Sequence, residues 1–220
     1  DFSNRSFNWI GRHWSNAYAV IQSSNLVIDF LDGDPANGFN DRNGPDWTPR
    51  ILGEAYFLRA YTNFQLAKSF GPPPNAAPDA PSIVLRDGSP QGGFDNPGLA
   101  TVSEVYDLIV SDINRAIELM PEQYVEGRDP VPYQDRANKW AAHFLAAEVY
   151  FLQNNFEMAE QHASTVIESG FYNLQDDVLD AWDDNTLGAQ APEVVWQYVT
   201  YNGSQQRWKP PIVHRIIGFT

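Results

Sequence analysis

The sequence predicts a mainly all-α protein, a stack of helical hairpins joined by long irregular loops and with little strand. Three observations carry that reading. Apolar residues recur at helical spacing in five separate stretches. The longest region, Ala137 to Leu174, breaks only at a polar Asn154-Asn155 pair, so its two helices must fold back on each other. Gly, Pro, Asn and Asp gather between the stretches, where they stop helices and build turns.

The chain has 220 residues, 43% hydrophobic and 14% aromatic, enough to bury one core. We read residues 1–220 as a single domain, with a helical repeat core over about 7–174 and a loop-rich part over about 175–220. Lys and Arg total 14 against 28 Asp and Glu, a formal charge of −14. Nucleic acids and anionic membrane surfaces select for basic patches, so neither is expected as a partner. Without cysteine there is no disulfide, no thiolate metal site and no thiol nucleophile. No run approaches the ~20 apolar residues that span a bilayer.

The first helix, over 7–31, has Phe7, Ile10, Trp14, Ala17, Ile21 and Ile28 on one face and ends before Gly33. The segment GDPANGFNDRNGPDWTPR then reads as an irregular loop carrying Trp47. A second helix over 51–70 turns Phe57, Ala60, Tyr61, Phe64 and Ala67 inward and stops at Gly71 before three prolines. Residues 72–100 form a long loop broken by a short extended piece at Ile83-Val84-Leu85. Thr101 and Glu104 make a capping box, and Val102, Val105, Ile109, Ile113, Ala116, Ile117 and Met120 keep the helical period over 102–120.

Helices over 137–153 and 155–169 complete the set. Trp140, Phe144, Ala147 and Phe151 form the first stripe, broadened by Leu145, Val149 and Leu152, and Phe156, Ala159, Ala163, Val166 and Ile167 form the second. Ala147 and Ala159 are small enough to sit where the helices cross, and Gly170 can end the second in the left-handed conformation. Strand is expected only near 193–200, where EVVWQYVT alternates.

A helical hairpin with small residues at its crossing resembles a tetratricopeptide-type repeat. Its wording is more specific: A-A-E-V-Y-F-L-Q-N-N-F-E-M-A-E from Ala146 to Glu160, then V-I-E-S-G-F-Y-N-L to Leu174, is similar to the signature hairpin of the SusD/RagB family. G-E-A-Y-F-L-R-A-Y-x-x-F-x-L-x-x-x-F-G, from Gly53 to Gly71, resembles a second motif of that family, and VYDLIVSDINRAIELMP is close to its wording as well. The resemblance covers about Phe7 to Thr200. It departs after the second helix, where GPPPNAAPDAPSIVL stands in place of the family's G-x-V-P-L-V turn.

The resemblance implies a tetratricopeptide-like scaffold of SusD type and a non-catalytic lipoprotein on the outer face of the outer membrane of Bacteroidetes. It would bind oligosaccharide or polysaccharide for nutrient uptake and deliver it to a SusC-like TonB-dependent transporter. It also implies a fragment, lacking the N-terminal lipid-anchor region and much of the C-terminal half. Membrane attachment would be through that lipid alone. A helical-repeat scaffold for protein partners is the alternative.

The residues bear on chemistry as follows. His13, His143, His162 and His214 lack metal-ligand spacing and read as packing residues, and no phosphate cradle or serine elbow occurs, so no cofactor, metal or catalytic residue is expected. Asp176-Asp177 and Asp183-Asp184 lack EF-hand spacing and read as solvated loop residues. A glycosidase needs two carboxylates across a sugar ring, and among 28 acidic residues no pair stands out. Glu54 and Arg59 read as structural anchors at a repeat interface. Sugar rings lie their C–H faces on Trp and Tyr while polar side chains take the hydroxyls, which selects Trp47 with Asn43 and Asp46, and Tyr201 with Arg207 and Trp208. The alternative for each aromatic is a cap on the core beneath a loop.

Overall fold

A computed structural model describes residues 2–33, 47–75, 77–90, 97–123, 136–177, 192–196 and 214–215, with side chains placed from residue 9 to residue 196. Five helices occur among them: α1 (Phe2–Asp32), α2 (Thr48–Phe70), α3 (Val102–Leu119), α4 (Lys139–Leu152) and α5 (Phe156–Glu168). Each falls where the apolar periodicity places one.

The first two helices run antiparallel. The Tyr56 hydroxyl donates to Asp32 Oδ2 at 2.6 Å at one end, and Phe70 meets Trp14 and His13 at ring separations of 5.0 and 5.9 Å at the other. With 31 residues against 23, α1 outruns its partner, so residues before His13 have no α2 opposite them. Ile10 is therefore 57% exposed rather than inward, and Trp9 is 76% exposed, while Ala17, Ile21 and Ile28 are buried as expected. α2 starts three residues earlier than its stripe suggested. Pro49 in the first turn has no N–H to leave unpaired, and its fixed φ suits the helix.

α2 is the centre of the core: Phe57, Ala60, Tyr61, Phe64 and Ala67 are all buried. Its start lies so close to the end of α3 that a Cβ on Gly53 would stand 2.7 Å from Met120 Cγ and 3.0 Å from Leu119 Cβ. α3 opens on the full capping box: Thr101 Oγ1 accepts from the Glu104 N–H at 3.2 Å, and Glu104 Oε2 accepts from the Thr101 N–H at 2.8 Å. Its stripe is buried from Val102 to Ala116, with Met120 continuing it.

Strand is more widespread than expected. β1 (Pro81–Val84) pairs antiparallel with β2 (Leu99–Thr101), and β3 (Val194–Trp196) with β4 (His214–Arg215). Both partners are distant in sequence, so no local alternation announces them. Ile83 is fully buried, and the Tyr18 hydroxyl donates to the Val84 carbonyl at 2.7 Å, tying β1 to α1. Residues 197–200, the rest of the expected strand, lie outside the described residues.

In the last hairpin the buried face differs from the expected one. Trp140, Ala141, Ala142, Leu145, Ala146 and Val149 are buried on α4, whereas Ala147 and Phe144 are partly exposed and Phe151 is 45% exposed. On α5 only Ala159 and Val166 are buried, and Phe156 and Ile167 are 57% and 60% exposed. The reason is position: among the described residues α4 packs on both α3 and α5, whereas α5 packs substantially on α4 alone. Asn138 and Asn155 cap the two helices, accepting from Ala141 N at 3.0 Å and Met158 N at 3.3 Å. Asn154 takes a positive φ of 61° in the turn, and Gly170 one of 72° after α5.

Candidate functional site

Trp47 stands at the N-cap of α2, half-buried, where the chain enters the helix. Its carbonyl accepts from Ile51 N at 3.0 Å, which fixes the backbone and so the direction from which the indole leaves it. The Arg50 guanidinium lies 5.9 Å from the ring centroid, within cation–π range. Arg50 is held in turn by Glu54, whose Oε1 accepts from Arg50 Nε at 3.1 Å. The same carboxylate accepts from Arg136 Nε and Nη2 at 3.0 and 2.7 Å. An indole backed by a buried, fixed guanidinium is held in one orientation with a flat apolar face. Asn43, Asp46, Tyr201, Arg207 and Trp208, the other expected ligand contacts, lie outside the described residues.

Glu54 and Arg59 do not pair with each other, since five positions on a helix put them on different sides. Arg59 donates through Nε and Nη2 to both oxygens of Asp112 on α3, each at 2.7 Å, and through Nη1 to Asn25 Oδ1 at 2.8 Å and the Asp87 carbonyl at 2.7 Å. Asn25 Nδ2 donates to the carbonyls of Gly88 and Arg86 at 2.9 and 3.3 Å, and Asp29 Oδ2 accepts from Ser89 N at 2.8 Å. Side chains of α1 and α2 thus grip the backbone of residues 86–89, with Asp112 of α3 holding Arg59 in place. Burial raises the Asp112 carboxyl, with Arg59 pulling against it. Burial likewise opposes the Arg59 cation, but Asp112 outweighs it and Arg59 moves up. The forked geometry keeps the pair ionised at neutral pH. It is a structural anchor.

Two features escaped the sequence. Phe57, Tyr61, Phe144 and Trp196 line a shallow apolar recess between α2, α4 and β3. Trp196 meets Phe57 and Tyr61 edge-on at 5.0 and 5.1 Å, so these rings mostly face one another. The second is a histidine pair: His143 on α4 and His162 on α5 bring their Nδ1 atoms to 2.9 Å. Burial, then His162, then Lys139 push His143 down to about 4, and burial lowers His162. Each histidine lies two to three turns from the Gln153–Asn155 turn, on opposite arms of the hairpin; that placement was the available signal. Among the described residues no three His, Cys, Asp or Glu side chains gather as a metal site, and Asp183 and Asp184 lie outside them.

Residues 4–151 match a family model, SusD-like, described as starch-binding and associating with the outer membrane. A SusD-like protein of Bacteroides ovatus is 25% identical over 199 residues, 84% of this chain and 32% of the relative. SusD-like protein P2 of Formosa agariphila is 28% identical over 199 residues, 86% of this chain and 34% of the relative. The chain spans about a third of the length of these curated relatives. A SusD superfamily protein of Bacteroides fragilis superposes with a TM-score of 0.68 at 25% identity, covering 86% of this chain and 40% of that one. Another, from Bacteroides vulgatus, gives 0.74 at 21% identity, covering 88% and 42%. A structure determined with xylogluco-oligosaccharide gives 0.64 at 21% identity, covering 84% and 34%.

Proposed function

The chain belongs to the SusD-like family, and from that premise we propose that it serves in non-catalytic binding of oligosaccharide or polysaccharide at the outer face of the outer membrane. The bound glycan passes to a TonB-dependent transporter beside it. The observation that carries the glycan reading within this chain is Trp47: a partly exposed indole at a helix entrance, steadied by Arg50 and the Glu54–Arg136 pair. Such a surface takes the C–H face of a sugar, while the buried Arg50 guanidinium steadies the ring. We assign the hydroxyl contacts to Asn43 and Asp46, which precede it in the chain, and a second group of ligand contacts to Tyr201, Arg207 and Trp208.

The test is retention on polysaccharide affinity gels, starch and xyloglucan first, for the parent and Trp47→Ala. Truncating a well-packed aromatic anchor costs ~2 kcal/mol or more of binding, so the variant should elute much earlier with its melting temperature nearly unchanged. Retention intact with stability lost would make Trp47 a cap on the core. Release of reducing sugar would overturn the non-catalytic reading.

A protein-binding scaffold is the second reading, favoured by the apolar residues exposed around the last hairpin: Phe151, Phe156, Ile167, Phe171 and Leu174. Failure of every polysaccharide to retain the parent would favour it.

A further inference from the structure

The histidine pair joins the two arms of the last hairpin in a way that depends on proton count. At 2.9 Å the two Nδ1 atoms share one N–H···N hydrogen bond, which needs one ring to donate and the other to accept. Both rings are half-buried and stacked: His143 on Trp140 at 6.1 Å, His162 on Tyr150 at 5.5 Å. The first added proton makes one ring an imidazolium that donates to the other, still neutral ring; the second turns that acceptor into a donor, removes the bond, and sets two like charges face to face.

Among the described residues, the charged groups around the pair are engaged elsewhere or exposed. Lys139, one turn before His143, adds a further positive charge, and its own partner Glu122 holds it at 3.1 Å. Glu148, on α4, is engaged with Lys68 of α2 at 2.7 Å. From α3, Tyr106 is a neutral phenol pushed up to about 12 by burial and then by Glu148. On the segment after α5, Tyr172 is likewise raised to about 12 by burial and bonds to Asn138. Beside β3, Glu193 accepts from Gln175 N. The acidic residues of α5 itself, Glu157, Glu160 and Glu168, are exposed. With two ligating nitrogens and an ammonium nearby, the pair also offers more to a proton than to a metal ion.

We propose that His143 and His162 form an acid-sensitive latch that holds α5 against α4 and releases it as the medium acidifies. α5 is the element such a latch could free without unfolding the rest, because among the described residues it packs substantially on α4 alone and buries only Ala159 and Val166 of its own. Release would also carry the segment after it, where Phe171 packs on Trp140 at 5.3 Å and Tyr172 bonds to Asn138. A histidine held below its ordinary 6.5 in the folded state gives stability that is complete above 6.5 and declines as pH falls from there toward about 4.

The experiment is hydrogen exchange on the intact protein between about pH 7.5 and about pH 4.5, corrected for the intrinsic rate, with histidine ring titration followed by NMR. The parent should lose protection over residues 156–168 by about tenfold or more across this range while α2 keeps its own. In His162→Gln and His143→Gln, where only one ring of the pair can charge and no second cation can face it, the α5 loss should shrink to a few-fold. Parallel loss in parent and variants would overturn the latch. So would parent rings that titrate near 6.5, a reading that stands even if a variant does not fold.

Discussion

At the residue scale, the Arg59–Asp112 pair shows how a charged residue comes to stand among the core residues of a helix. Its side chains are 5% and 2% exposed, and every donor on the guanidinium that the geometry accounts for meets an oxygen: two on Asp112, one on Asn25 and one on a loop carbonyl. Desolvating two ions is costly, and only such complete pairing offsets it. Removing one partner leaves the other charge buried and uncompensated. Asp112→Asn should therefore destabilise by about 3–5 kcal/mol, read by urea denaturation. A loss below about 1 kcal/mol would mean that the Asp87 carbonyl and Asn25 hold Arg59 without help. The periodicity of α2 shows Arg59 among core residues, but its partner lies 53 positions away and cannot be read from any local pattern.

At the element scale, the hairpin teaches a distinction between where a helix is and which way it faces. The stripe of α4 is so broad that Trp140-Phe144-Ala147-Phe151 and Ala142-Leu145-Ala146-Val149 are both plausible inner faces in sequence. Packing on α3 as well as α5 selects the second. Ala142 and Ala146 are 0% and 1% exposed, and Ala147 is only partly buried. An indole forced into a close-packed interface costs about 1–3 kcal/mol, occasionally more. Ala146→Trp should thus lower the melting temperature clearly more than Ala147→Trp. Equal effects would mean that α4 sits about a quarter-turn from the orientation described.

At the scale of the whole molecule, 28 acidic against 14 basic residues leave a field of self-repulsion that the scattered surface ion pairs, each worth ~0–1 kcal/mol, do little to offset. Raising ionic strength from about 0.01 M to about 0.1 M shortens the screening length from about 30 to about 10 Å, so the melting temperature should rise with added salt at neutral pH. A fall would show that attractive pairs such as Lys68–Glu148 and Arg136–Glu54 dominate. What the sequence by itself determined is the order of the five described helices, the cap at Thr101, and the family, because periodicity, capping and motif wording are local properties of a chain. Trp47 too was legible as a solitary aromatic beside a Gly/Pro-rich segment. What only the tertiary structure decided is the partner of each element: which face of α4 is inner, that Ile10 overhangs α2, that β1 finds β2, and that His143 meets His162. Those outcomes depend on residues brought together from far apart in the chain, and on which neighbour buries a given apolar side chain first, which no local spacing encodes.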